Sequence, residues 1–204
     1  MKSASKIIAI IFHPLLLPTY MVLVLQKYLP AMLMIRAEFS LTIISLIFVF
    51  TFVMPVINLL MMKYFGNVNS ITLEERQQRV LPFTFIALLY ILVTFLFYYK
   101  LPFSQNFNKL MVIITAMVVV SWAVTFFFKI SVHSLAICGG LGILLPLNMA
   151  TEQQDLLWPT VVLIIVSGLV MSSRLLLNAH SPREVMYGAL TGFFIGFSGI
   201  LIFF

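Results

Sequence analysis

The sequence predicts an all-α fold, a polytopic transmembrane helical bundle of six to seven spans. Three observations carry the prediction. The chain of 204 residues is 62% hydrophobic and only 9% charged, and its mean hydropathy of +1.14 is far above that of an ordinary globular domain. Its apolar residues fall in runs of about 20, the length a helix needs to cross a hydrocarbon core of roughly 30 Å. The linkers between the runs, such as "LPFSQNFN", "TEQQD" and "NAHSPRE", are short and polar. They leave no room for an extramembrane domain, so a single membrane domain is expected over residues 1–204.

The runs place spans at about 6–26, 39–63, 80–100, 109–128, 131–150, 156–176 and 183–204. The first has a basic start, "MKSASK", and no small-x-small cleavage site follows it, so it reads as a retained span and not as a signal peptide. Pro14 and Pro18 interrupt it, and a broken or re-entrant helix is the alternative form, tolerated where neighbouring protein satisfies the freed carbonyls. His13 lies within this segment. In the last span Gly188, Gly192 and Gly196 recur every fourth residue, forming a flat strip that lets another helix backbone come close. Gly139, Gly140 and Gly142 give the fifth span the same character.

The net charge of +6 is spread thinly, with no Lys/Arg run. Interfacial anchoring or an anionic head group accounts for it, and nucleic acid is not an expected partner. The single cysteine, Cys138, allows no intrachain disulfide.

With seven spans in alternation, one membrane face collects Glu74, Glu75, Arg76, Arg79, Lys129, His133, Arg174, His180, Arg183 and Glu184, each at or just inside a helix end. Lys27, Arg36, Glu38, Lys100, Lys109, Glu152 and Asp155 are scattered on the other face. Singly, each residue of the first set has a plain structural reading. Lys129 snorkels, Arg76 and Arg79 anchor a helix at head groups, and His133 is a packing histidine. Together they point to a site, because ionisable groups at membrane level are costly. Arginines without matching carboxylates want an anion, and their planar fork suits phosphate oxygens. Histidine moves protons near neutral pH and also serves as a nucleophile. Two histidines beside a phosphate site suggest phosphoryl transfer at a lipid phosphate. Nearby carboxylates are too few for a metal centre, and no cofactor is expected.

"SRLLLNAHSPRE" resembles the third signature of the type 2 phosphatidic acid phosphatases (PAP2), S-R-x5-H-x3-D, with Ser173, Arg174 and His180 in register and Glu184 where the family has Asp. "KISVHS" is similar to the second signature, P-S-G-H, keeping Ser131 and His133. "EERQQRVLP" is a looser counterpart of the first, K-x6-R-P, with Arg79 and Pro82 present but not adjacent and no Lys seven residues before Arg79. The resemblance implies a metal-independent hydrolase. In it His180 attacks phosphorus to form a phosphohistidine, His133 protonates the leaving group, and Arg174 and Arg79 hold the phosphoryl oxygens, with Ser131 and Ser173 in the signatures as further phosphate-site residues. Arg76 and Lys129 are the other candidates for the cation that the first signature lacks. Bacterial members of the family face outward from the inner (cytoplasmic) membrane. Lys/Arg counts alone favour the cytoplasmic side, unless the residues of the site itself are set aside.

Two residues keep alternative roles. Glu184 either orients His180 through the second ring nitrogen, as the acid of a catalytic triad does, or completes a capping box with Ser181 and Pro182 at the start of a helix. Thr72 and Glu75 form a similar box ahead of Arg76 and Arg79. The expected substrates are phosphatidic acid, phosphatidylglycerol phosphate, a polyprenyl pyrophosphate or a lipid A phosphate. The alternative function is a catalytically inactive relative that binds or moves anionic lipids. A transporter using His13 and Asn58 at mid-span is disfavoured, because the charged cluster lies at one face. Oligomeric state is left open.

Overall fold

The structure, a computed structural model, describes residues 2–70, 73, 75–101, 103–150 and 155–204. Thr72, Glu74 and Glu152 lie outside the described residues, and with Thr72 goes the capping box expected ahead of Arg76. Helices are α1 (Lys2–Ile11), α2 (Leu17–Tyr28), α3 (Pro30–Leu33), α4 (Ala37–Phe48), α5 (Met54–Tyr64), α6 (Arg76–Lys100), α7 (Gln105–Thr125), α8 (Val132–Ala150), α9 (Leu157–Leu176) and α10 (Pro182–Phe203), with a π-helical turn at Val49–Val53 joining α4 to α5. Six helical segments are long and apolar enough to cross a membrane, α4 to α5 counting as one. The chain is an all-α integral membrane protein.

The expected first span is not one helix. It divides into α1 and α2 around residues 12–16. Pro14 lacks the amide that would continue α1, and Leu16 donates its own amide to the His13 carbonyl at 2.9 Å, closing a turn. The α2–α3 stretch then runs the depth of the bundle. His13 at its start lies beside His133 near the beginning of α8, and the Leu33 carbonyl at its end accepts from Ser104 Oγ at the beginning of α7. Amphipathic α1 leaves Ile7, Ile10 and Ile11 exposed and packs on α9.

Proline also explains the π turn. Pro55 donates no hydrogen bond to the Thr51 carbonyl, four residues back, and the ring crowds that turn. The freed carbonyl accepts from Tyr90 Oη of α6 at 3.2 Å, so the irregularity is stitched to a neighbouring helix.

The tightest seam joins parallel α8 and α10. A Cβ placed on Gly188, Gly192 or Gly196 would lie 2.4, 1.9 and 2.4 Å from the carbonyl oxygens of Ser131, Leu135 and Gly139. Glycine every fourth residue on α10 therefore faces a backbone ridge with the same spacing on α8, the close approach expected of small-residue strips. The seam fixes the relative height of the two helix starts. Ser131 N donates to the Glu184 carbonyl at 3.0 Å, which sets His133 and His180 at one level.

A candidate anion site at one end of the bundle

His180 sits in the five-residue gap between α9 and α10, where its neighbours have local tasks. Asn178 takes a left-handed conformation, φ 52°, which Asn tolerates better than most residues and which ends a helix. Ala179 N then bonds back to the Arg174 carbonyl at 3.1 Å. Ser181 is the N-cap of α10, its Oγ accepting from Glu184 N at 3.3 Å, with Pro182 at the first helical position. Between a closed C-terminus and a capped N-terminus, His180 has little freedom to move.

The cap leaves the Glu184 carboxylate free for another partner. It lies 2.6 Å from His180 Nδ1 and 3.9 Å from Lys129 Nζ. Among the described residues it makes no bond to the Ser181 amide, so the reciprocal half of a capping box is not formed. The two roles expected to compete are divided within one residue: the Glu184 amide serves the cap and its carboxylate holds the histidine. A carboxylate accepts only, so Nδ1 carries the proton and Nε2 keeps its lone pair. Burial pushes His180 down to about 4, with Arg79 and Arg174 lowering it further, although the bond to Glu184 pulls the other way. Burial wins, and the ring is neutral near pH 7.

Arg174, in the last turn of α9, faces this histidine from across a cavity. Among the described residues its Nε is buried without a hydrogen-bond partner, a costly condition for a guanidinium nitrogen. Arg79, in the first turn of α6, is 5% exposed. Nε donates to the Leu73 carbonyl at 2.7 Å and Nη1 to the Ile130 carbonyl at 3.1 Å, which aims the head group. Among the described residues, neither arginine has a carboxylate within ion-pair distance.

His133 Nε2 lies 3.2 Å from the Ala9 carbonyl, so in the neutral ring Nε2 holds the proton and Nδ1 is free to accept one. His13, which the sequence placed only in a doubtful first span, stands edge-on to His133 with ring centroids 5.5 Å apart. Burial, with the Arg174 charge added, holds His13 down at about 4. His13, Arg79, His133, Arg174 and His180 line one cavity of about 180 Å³. From these polar groups the cavity continues between apolar walls that include Met21, Phe83, Ile86, Ile114, Met117 and Ile143. One end suits an anion, and the other suits a hydrocarbon chain.

The remaining expected residues are placed elsewhere. Arg76 donates through Nη1 to the carbonyls of Thr125 (3.3 Å) and Phe126, capping the end of α7. Lys129 donates to the Ala179 carbonyl at 3.3 Å and borders the site only through Glu184. Ser131 Oγ accepts from Ser134 Oγ at 2.9 Å, and its amide is bound to Glu184. Ser173 Oγ returns to the Val170 carbonyl at 2.7 Å. None of these four lines the cavity. Among the described residues no group of three or more His, Cys, Asp or Glu could hold a metal ion.

His13 was the member hardest to find. Its signal was a histidine directly before the proline that breaks a helix, a place where a polar side chain lies next to freed backbone. Compared with known proteins, the chain matches no family model, no curated protein and no solved structure.

Proposed function

We propose that this protein is a membrane lipid phosphatase of the PAP2 type, acting on a lipid phosphomonoester or pyrophosphate through a phosphohistidine. The observation that carries the reading is the convergence of two arginines, without carboxylate partners among the described residues, and a carboxylate-held neutral histidine on the polar end of one cavity with apolar walls. His180 Nε2 attacks phosphorus, and the bond from phosphorus to the leaving oxygen breaks. The departing electron pair takes a proton from His133, carried at Nδ1 while Nε2–H stays on Ala9. Water then attacks phosphorus, returns a proton to Nδ1, and releases phosphate as the phosphorus–nitrogen bond breaks. Arg174 and Arg79 offset the charge on the equatorial oxygens throughout. Glu184 stabilises the positive charge that His180 gains when it becomes phosphorylated. Within this reading the substrate is phosphatidic acid, phosphatidylglycerol phosphate, a polyprenyl pyrophosphate or a lipid A phosphate, and the site opens outward from a bacterial inner membrane.

Phosphate release from these four lipids by the purified protein in detergent tests the reading. His180→Ala should lose at least about 10³-fold in turnover, since the nucleophile itself is removed. Release from none of the four, or equal release by wild type and His180→Ala, overturns it. One observation favours a second reading, a protein that binds or moves anionic lipids without turnover. Of the polar residues in the second signature only His133 lines the cavity, and the side chain and amide of Ser131 are already engaged. Lipid binding that survives in His133→Ala and His180→Ala, without phosphate release by wild type, would support that alternative.

A further inference from the structure

We infer that His13 is a substrate-contacting residue, donating a neutral Nε2–H to a phosphoryl oxygen held by Arg174, so that the break in the first helix is part of the site. The inference rests on the reading that the cavity takes a phosphate.

The hydrogen bonds around the two neighbouring rings assign their protons. Leu15 N donates to His13 Nδ1 at 3.3 Å. An amide only donates, so Nδ1 must be the acceptor and Nε2 must carry the hydrogen. No described group accepts it. His133 has the same tautomer with the opposite outcome, since its Nε2–H is already taken by the Ala9 carbonyl. Of these two histidines, among the described residues only His13 keeps an uncommitted donor in the neutral form. Burial, with the Arg174 charge added, keeps the His13 ring unprotonated, a state suited to hydrogen bonding without proton transfer.

The backbone supports the same assignment. A continuous helix over residues 6–26 would carry position 13 in its interior, with the Leu15 amide bonded four residues back and unavailable to a side chain. The break at Pro14 releases that amide and points it at His13. Tyr20 Oη on α2 donates to the Ile11 carbonyl at 3.1 Å, tying the two sides of the break together. The turn is therefore held from both flanks, with the imidazole at its apex.

The test compares His13→Leu, which removes the donor, with His13→Gln, whose amide keeps one. Two readouts are taken: orthovanadate binding followed by calorimetry, and kcat and KM for phosphate release from phosphatidic acid or another of the four lipids that wild type hydrolyses. His13→Leu should weaken vanadate binding and lower kcat/KM by roughly 10–100-fold, the loss of one hydrogen-bond donor to a charged group. His13→Gln should recover most of both. A residue that merely filled space would give Leu and Gln similar values. Equal vanadate binding and equal turnover by wild type and His13→Leu overturn the inference while leaving the phosphatase reading intact. If wild type binds vanadate but hydrolyses no lipid, the phosphatase reading fails, and the Leu-versus-Gln difference in vanadate affinity still decides the role of His13. If wild type binds no vanadate, both fail.

Discussion

Where α6 ends and α7 begins, Phe97, Phe103 and Phe107 meet with ring centroids 4.5 to 5.9 Å apart, and Phe107, Leu110 and Met111 are completely buried. Where α6 begins and α7 ends, the corresponding space is a cavity walled by three histidines and two arginines. The charges at the two ends also keep different company. At the aromatic end Arg36 pairs with Glu38 at 3.6 Å while both stay largely in solvent, and Lys27 and Lys109 lie over the rings of Tyr28 and Phe204. Such charges anchor a bundle at an interface and contribute little individually. At the cavity end Arg79 is buried and Arg174 half-buried, and among the described residues neither has a carboxylate partner. The difference separates charges that meet the solvent from charges turned onto an internal cavity, which composition alone does not do.

Arg174→Ala should break that contrast most sharply. It should lower kcat/KM for lipid phosphate by roughly 10² to 10³-fold, the loss typical when one donor to transition-state charge is removed. Arg174→Lys should restore little, because an ammonium lacks the fork. Lys109→Ala at the other end should leave kinetics unchanged. Similar losses at both ends in steady-state assays would erase the distinction.

Glu184→Gln sharpens it. The backbone amide keeps its bond to Ser181, so the α10 cap survives, whereas the negative charge beside His180 is lost. Turnover should fall roughly ten- to a hundredfold, as when a partner orienting a functional histidine is removed, with little change in melting temperature. The pH profile adds a signed expectation. His180 attacks unprotonated in the proposed mechanism, and burial has lowered it from the usual 6.5 to about 4, so the acid limb of kcat/KM should lie near pH 4. Glu184 raises that value, so its removal should move the acid limb lower still. A limb near pH 6.5 in wild type would contradict the buried, neutral histidine.

The smallest effect is on stability. Gly192→Ala places a methyl 1.9 Å from the Leu135 carbonyl and should destabilise by roughly 1–3 kcal/mol, because the α8–α10 seam has no room to relax. Gly168→Ala, with nothing within 4 Å of the added atom, should be neutral or slightly stabilising in the same thermal melts. Gly192→Ala should also reduce turnover, since the seam sets the height of His133 against His180.

Much of this molecule was legible in one dimension. Six of the seven apolar runs form helices long enough to span, because a bilayer has one thickness and a backbone in lipid must satisfy itself as helix. The boundaries of α10 follow from Ser181 and Pro182, and the seam from three glycines at helical spacing. Arg174, His180 and Glu184 were visible as a cluster because they lie within eleven residues of one another. What only the tertiary structure decided is how distant groups divide their hydrogen bonds. Arg79 and Arg76 are one helical turn apart on α6, yet the first is aimed by Leu73 and Ile130 into the cavity and the second caps α7. The carboxylate of Glu184 turns to His180 while its amide stays on the cap. His13 reaches the site through a broken helix that no periodicity places. Composition and spacing settle which residues lie at a membrane face, because the hydrophobic effect acts on each segment separately. Hydrogen bonds join particular partners, so the difference between a charge that caps a helix and one that lines the cavity is decided only when the helices have packed.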